Sequence, residues 1–434
     1  MKKRYVICFV ISLLLIWNQV LTSYAQEVET IDPYSLYSKA AVLMDADSKR
    51  VLYSKNGEEE LPMASTTKIM TCILALEYGD LEEVVEISPY ATIQPKVKLY
   101  LGTADQVTLG DLLYSLMLES HNDTAVAIAE HIGAQMLYDT ELTQTTSRSY
   151  EESKMAVKAF ATLMNEKAIE LGCEDTYYIT PNGLDATEIF YMEDGSEIER
   201  THSTTAADLA TIMSYCIQDS VMSESFLEIT GTLQYSFNTL DGTRSFSCSN
   251  HNAFLSMMDG AISGKTGYTG NASYCYVGAV KRDGETYVVA LLSCSTYGNQ
   301  TKKWEDTTKL MNYGIEQYEE QEIYSGSVLE TVLVEGAILE NHGYFGAYST
   351  ALEVVGDEAI SLLLSEQDEV DIVVEVPDTL VAPIDKNEIV GSVTIYVNDE
   401  VYEMKNIVTT EKIVRKSVYQ AIEYVIYQFL PIIL

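Results

Sequence analysis

Basic side chains are scarce in this 434-residue chain: 27 Lys and Arg stand against 65 Asp and Glu, a net charge of −38. A surface of that sign repels phosphates, which excludes a general nucleic-acid partner. Metal-ligand spacing is missing too. The seven cysteines are scattered, with no Cys-x-x-Cys pair. No structural metal and no cofactor is expected. Beyond Cys8, the set Cys72, Cys173, Cys216, Cys248, Cys275 and Cys294 sits mostly in apolar runs, where a thiol behaves as a small buried hydrophobe. One disulfide is compatible with a secreted chain, its partners unspecified. The apolar stretches at the two ends both fall short of a membrane-spanning helix.

Enough apolar material remains, 47% hydrophobic against 21% charged, to bury a sizeable core in two or three domains. Residues 1–25 read as a secretory signal peptide: Lys2, Lys3 and Arg4, an apolar run from Tyr5 to Trp17, and Ser23-Tyr24-Ala25 as a small-x-small cleavage site. The mature chain is expected to begin at Gln26, outside the cytoplasm.

Along the chain, 39–45 and 50–54 form a hairpin that leads into a helix around Ile69–Glu77. Two apolar helices, about 109–118 and 124–132, flank a polar turn at 119–123. Residues 137–153 read as a solvated loop, with helix resuming near Lys154; 191–200 reads as an extended polar loop. The segments 260–268, 274–281 and 285–293 form a three-stranded antiparallel meander, followed by an amphipathic helix over 307–318. Beyond Tyr324 short β-rich runs punctuated by Pro377, Pro383 and Gly391 replace helical spacing. The domain reading is therefore 26–322 for a mixed α/β unit, 325–408 for a small β-sandwich, and 411–434 for a tail helix. In that tail Val414, Val418, Ile422, Val425, Ile426 and Phe429 recur at steps of three or four between Lys412, Arg415, Lys416 and Glu423, the pattern of a helix lying in a membrane interface.

Three short motifs carry chemistry. Ser65 lies in the first turn of its helix and Lys68 one turn on, so the amine reaches the hydroxyl. A lysine can take a serine proton only when its own pKa is lowered, by burial or by a second cation. Ser120 and Asn122 sit on the turn between two buried helices, where function tends to lie. Ser120 can relay a proton to a leaving nitrogen, and Asn122 can hold both the Lys68 amine and a substrate amide. Lys265-Thr266-Gly267-Tyr268 lies on the first meander strand. Lys265 supplies the second cation, Thr266 a hydroxyl for a substrate carboxylate, and Gly264 and Gly267 room for a substrate backbone along the strand. The amides of Ser65 and Tyr268 would flank an oxyanion. Among the remaining polar residues, His121 is expected to face solvent and His202 to make structural hydrogen bonds. Lys302 and Lys303 read as a solvated charge pair, Cys72 as core, and Asp45 and Asp47 as turn residues.

Ser65-x-x-Lys68, Ser120-x-Asn122 and Lys265-Thr266-Gly267, in that order, resemble the low-molecular-mass penicillin-binding proteins of the D-alanyl-D-alanine carboxypeptidase family. The resemblance extends through Thr180-Pro181-Asn182-Gly183-Leu184, through 202–210 and into the β-rich part. It implies a penicillin-recognising serine transpeptidase/β-lactamase-like α/β fold, then a small all-β domain and an amphipathic membrane-anchor helix. It also implies removal of the terminal D-Ala from peptidoglycan stem pentapeptides through a Ser65 acyl-enzyme, and acylation by β-lactams. Two features depart from the pattern: His121 fills a position that is usually small or acidic, and Asn182 stands where the family often has His. The alternatives are a serine β-lactamase, disfavoured because no Glu-x-x-x-Asn loop lies between the second and third motifs, and a silent wall-binding or β-lactam-sensing protein.

Overall fold

The computed structural model describes residues 31–137, 148–192, 194–294, 299–326, 329–337 and 348–429. The signal-peptide reading of 1–25 and most of the loop expected over 137–153 lie outside the described residues.

The chain divides between Glu316 and Gln317 into two compact units. In the first, strands β1 (Ser38–Asp45) and β2 (Val51–Lys55) form the expected hairpin. Strands β3 (Ala261–Thr269), β4 (Ser273–Arg282) and β5 (Glu285–Cys294) form the meander. All five join in one antiparallel sheet, ordered β2-β1-β5-β4-β3. β1 and β5 are interior strands and are buried along nearly their whole length, which explains their continuous apolar runs. β3 lies at the edge of the sheet.

The main helices of the unit are α1 (Lys68–Tyr78), α2 (Leu109–Leu118), α3 (Asn122–Leu137), α4 (Tyr150–Glu170), α5 (Ala206–Ser214) and α6 (Lys302–Gln317), with shorter helices at Pro89–Thr92 and Ser223–Gly231. α1 is buried on every face from Lys68 to Leu76, the condition of a central helix. It packs among α2, α3, α4 and α5 in the main hydrophobic core. A short 3-10 turn, Ala64–Thr67, precedes it.

Three sequence expectations need correction here. The helix expected over 307–318 already begins at Lys302. α4 begins at Tyr150, not near Lys154. Ser149 caps it, and the Glu152 carboxylate accepts from the Ser149 amide at 2.8 Å. That Ser-x-x-Glu capping box lies inside a Ser/Thr/Glu-rich stretch whose composition reads as loop. The polar loop at 191–200 is mostly hairpin, with Thr187–Tyr191 paired antiparallel to Glu197–Thr201.

The second unit is β-rich. Glu319–Tyr324 pairs with Ile360–Leu364, and Val332–Glu335 lies between Ser349–Thr350 and Thr379–Val381. A four-stranded sheet carries Leu352–Val354, Glu400–Thr409, Ile389–Val397 and Val370–Glu375 in that order. Val393, Ile395 and Ile407 centre one of its small cores. A helix, Val418–Phe429, follows and exposes Val418, Tyr419, Ile422, Val425 and Ile426. Among the described residues no helix is long and apolar enough to cross a membrane. The six described cysteines are buried and unbridged.

Candidate active site

The turn Ala64–Thr67 places Ser65 directly ahead of α1. It is locked from within: Thr66 Oγ1 donates to Met63 O at 2.6 Å and Thr67 Oγ1 to Ala64 O at 2.8 Å. One turn later Lys68 is fully buried. Its Nζ lies 2.9 Å from Ser65 Oγ, 3.0 Å from Asn122 Oδ1 and 2.5 Å from the carbonyl oxygen of Asn182. A neutral amine has two N–H groups and one lone pair. Asn122 and Asn182 satisfy the two N–H groups, which leaves the lone pair aimed at the Ser65 hydroxyl. Burial drives the Lys68 pKa well below the usual lysine range, and the Lys265 charge lowers it further.

Asn122 opens α3 and is itself held. Its amide N–H donates to Val97 O at 2.8 Å and its Nδ2 to Pro95 O at 3.2 Å. Ser120 precedes it with a left-handed backbone (φ 66°). That conformation is costly for a non-glycine residue, so the surrounding structure has to impose it. The Ser120 hydroxyl makes no hydrogen bond among the described residues.

β3 runs alongside. Lys265 is buried, and its Nζ donates to Thr266 O at 2.9 Å. Desolvation lowers its pKa to about 7. At neutral pH its charge is thus only partial until an anion arrives. Thr266 is half-buried and Tyr268 exposed. Gly267 backs directly onto the nucleophile: a Cβ there would stand 3.0 Å from Ser65 N and 3.1 Å from Met63 O. A Cβ on Gly264 would meet Tyr276 OH at 2.6 Å and Asn252 Nδ2 at 2.7 Å. The two glycines therefore make room for the protein's own atoms.

Two further residues differ from expectation. His121 does not face solvent. It is buried, its Nδ1 lies 2.9 Å from Ser115 Oγ, and burial lowers its pKa to about 4. Lys303 is no solvated partner of Lys302. It is buried, donates to Gln300 O at 2.7 Å and lies over the Tyr274 and Trp304 rings. Lys302 is the less buried of the two and pairs with Glu305.

The carbonyl of Asn182 is the group that sequence reasoning missed. The Asn182 side chain turns away to accept from Leu184 N at 3.1 Å. Gly183 follows at φ 81°, so Asn-Gly in a turn was the available signal. His202 braces the loop from behind: its Nδ1 accepts from Ile179 N at 3.0 Å, and its Nε2 lies 2.8 Å from Thr67 Oγ1. Thr71 Oγ1 donates to Pro181 O at 2.7 Å. Among the described residues no group of His, Cys, Asp and Glu could hold a metal ion.

Residues 26–136 and 154–296 match the profile of a family described as D-alanyl-D-alanine carboxypeptidase. The chain belongs to that family. It is accordingly a serine peptidase on the penicillin-recognising fold, and residues 329–415 match the C-terminal domain of penicillin-binding protein 5. The D-alanyl-D-alanine carboxypeptidase DacF of Bacillus subtilis is 27% identical over 375 residues, covering 84% of this chain and 82% of its own. DacC of Escherichia coli is 24% identical, covering 90% and 88%. The crystal structure of DacD from Francisella tularensis shares the fold, with TM-score 0.61 at 22% identity over 91% of this chain and 98% of that one.

Proposed function

We propose that the chain is a serine D-Ala-D-Ala carboxypeptidase that trims peptidoglycan stem pentapeptides through an acyl-enzyme on Ser65. The reading rests above all on Lys68, a buried amine whose N–H groups are occupied and whose lone pair faces Ser65 Oγ. Lys68 takes the Ser65 proton as Oγ bonds to the penultimate D-Ala carbonyl. The amides of Ser65 and Tyr268 receive the oxyanion; losing one such donor typically costs about 3–4 kcal/mol of barrier. The proton passes from Lys68 through Ser120 to the leaving nitrogen as the C–N bond breaks. Water then attacks the ester with Lys68 again as base, and the proton returns to Ser65 Oγ. Lys265 and Thr266 bind the terminal carboxylate, which restores the Lys265 charge. Asn122 aligns the Lys68 amine and the substrate amide. β-Lactams would acylate the same serine.

The same reading places the enzyme outside the cytoplasm, with 1–25 as its signal. The helix Val418–Phe429 lies in the membrane interface through its exposed apolar stripe. The silent-binder alternative drew on His121, and that side chain is turned inward onto Ser115. Release of D-Ala from a defined pentapeptide, abolished in Ser65→Ala, tests the activity. A penicillin adduct lasting milliseconds instead of hours would indicate a β-lactamase. Co-sedimentation with anionic vesicles, lost on deletion of 416–434, tests the anchor.

A further inference from the structure

Ser120 is kept in place from outside its own side chain. Its backbone is left-handed and its hydroxyl is not hydrogen-bonded to any described residue, so its neighbours must position it. On the inner side His121 packs onto Ser115, whose Oγ also lies 3.0 Å from Thr124 Oγ1. On the outer side stands Glu119, the residue that closes α2. One of its oxygens accepts from Ser249 N at 2.9 Å, and the other lies 3.1 Å from His251 Nε2. The His251 amide returns to Leu118 O at 3.0 Å. Next along, Asn252 Oδ1 accepts from Tyr276 OH at 2.9 Å and its Nδ2 borders Gly264, the neighbour of Lys265. The 249–252 segment thus bridges the Ser120 turn to β3, and the Glu119 carboxylate is its fastening.

We propose that Glu119 is a positioning residue: through Ser249 N and His251 it fixes the Ser120 turn against the strand of Lys265, so that the Ser120 hydroxyl meets the leaving nitrogen. The inference rests on the proton-relay role proposed for Ser120. It has a signature that general loosening lacks. An amide nitrogen must gain a proton as its C–N bond breaks, whereas the oxygen of an ester departs far more readily without one. A displaced Ser120 therefore slows amide cleavage selectively. The carboxylate subsite on Lys265 and Thr266 is untouched, so KM should hold.

The test compares Glu119→Ala, Glu119→Gln and His251→Ala with the wild-type enzyme, on a pentapeptide ending in D-Ala-D-Ala and on its isosteric ester ending in D-Ala-D-lactate, with a thermal melt of each variant. Glu119→Ala should lower kcat on the amide by on the order of tenfold to a hundredfold, as a misplaced catalytic group does, with KM unchanged. The ester should lose less than about threefold by the same reasoning. Glu119→Gln, which can still accept from Ser249 N, should restore most of the amide rate. His251 is half-exposed, so His251→Ala should fold even if Glu119→Ala does not, and should show the same amide-selective loss in milder form. Equal losses on amide and ester, or wild-type rates in both alanine variants, overturn the inference while leaving the carboxypeptidase reading intact. A wild-type enzyme that releases no D-Ala removes that reading and this inference together. Ser120→Ala that spares the amide removes only the relay and the inference built on it.

Discussion

Gly183→Ala probes the loop that presents the Asn182 carbonyl to Lys68. The residue sits at φ 81°, where an L side chain costs about 1–2 kcal/mol. The new Cβ would stand 1.9 Å from the Ala64 carbonyl oxygen and 2.9 Å from Thr67 Oγ1. Ala64 O is backbone in the turn that carries Ser65, so no side chain can swing aside. Relief requires the loop to retreat by roughly 1 Å, and overpacking of that kind adds about 1–3 kcal/mol. The expected loss of stability is therefore roughly 2–5 kcal/mol. The same retreat lengthens the contact between Lys68 Nζ and Asn182 O, 2.5 Å in the native protein, beyond hydrogen-bond range. Lys68 then loses one of the acceptors that orient its lone pair, and acylation should slow by on the order of a hundredfold. The assay is the rate of fluorescent-penicillin labelling of purified protein, paired with a thermal melt. Gly172→Ala is the control. That glycine also has positive φ but no atom within 4 Å of its Cβ position, so it should lose a little stability and no labelling rate. Wild-type labelling and melting of Gly183→Ala would refute the reasoning.

Three further outcomes follow from the packing and ionisation of the first unit. Gly267→Ala sets a methyl 3.0 Å from Ser65 N; it should push β3 outward and cut the penicillin labelling rate at least tenfold or so, with a melting temperature close to wild type. Burial holds His202 at about 3 and His121 at about 4, below their ordinary 6.5. The unfolded chain thus binds more protons below pH 6.5, so the stability from both is complete above pH 6.5 and lost as pH falls towards 4 and 3. Melting temperature should drop across that window, less steeply in His121→Gln. Glu130 is the opposite case: burial raises its carboxyl to about 7 against the opposing pull of Arg148, whose Nη1 lies 4.0 Å from Oε2, and Oε2 has no hydrogen-bond partner among the described residues. Stability should be lost as pH rises from 4.5 through 7, and Glu130→Gln should remove that loss, its advantage growing between pH 5 and pH 8 in thermal melts.

Much of the fold was legible because local signals agreed with the tertiary arrangement. The all-apolar face of 69–76 marks a central helix, and the Arg282-Asp283-Gly284 turn divides two strands that pair as read. The spacing of Ser65 and Lys68 already implied contact within one helical turn. Other features depended on what the chain meets elsewhere. His121 looks like a solvent-facing turn residue until α2 supplies Ser115 as its partner. Lys303 looks like half of a surface pair until Tyr274 and Trp304 close over it. Asn182 contributes through its main chain, and side-chain type says nothing of that. The sequence reads Gly264 and Gly267 as room for a substrate backbone, and the fold shows a separate reason for their size. The atoms they admit come from distant parts of the chain: Tyr276 and Asn252 for one, the Ser65 amide for the other.

The chemistry depends on Lys68 being uncharged beside Ser65, and the pH dependence of Ser65 acylation at saturating penicillin measures that most directly. The bound carboxylate then keeps Lys265 charged, so the profile follows Lys68. The rate should climb through a pKa well below 10.5, the ordinary lysine value, and be level by pH 10.5. A rate still rising towards pH 10.5 would show a lysine charged at working pH and contradict its role as the base.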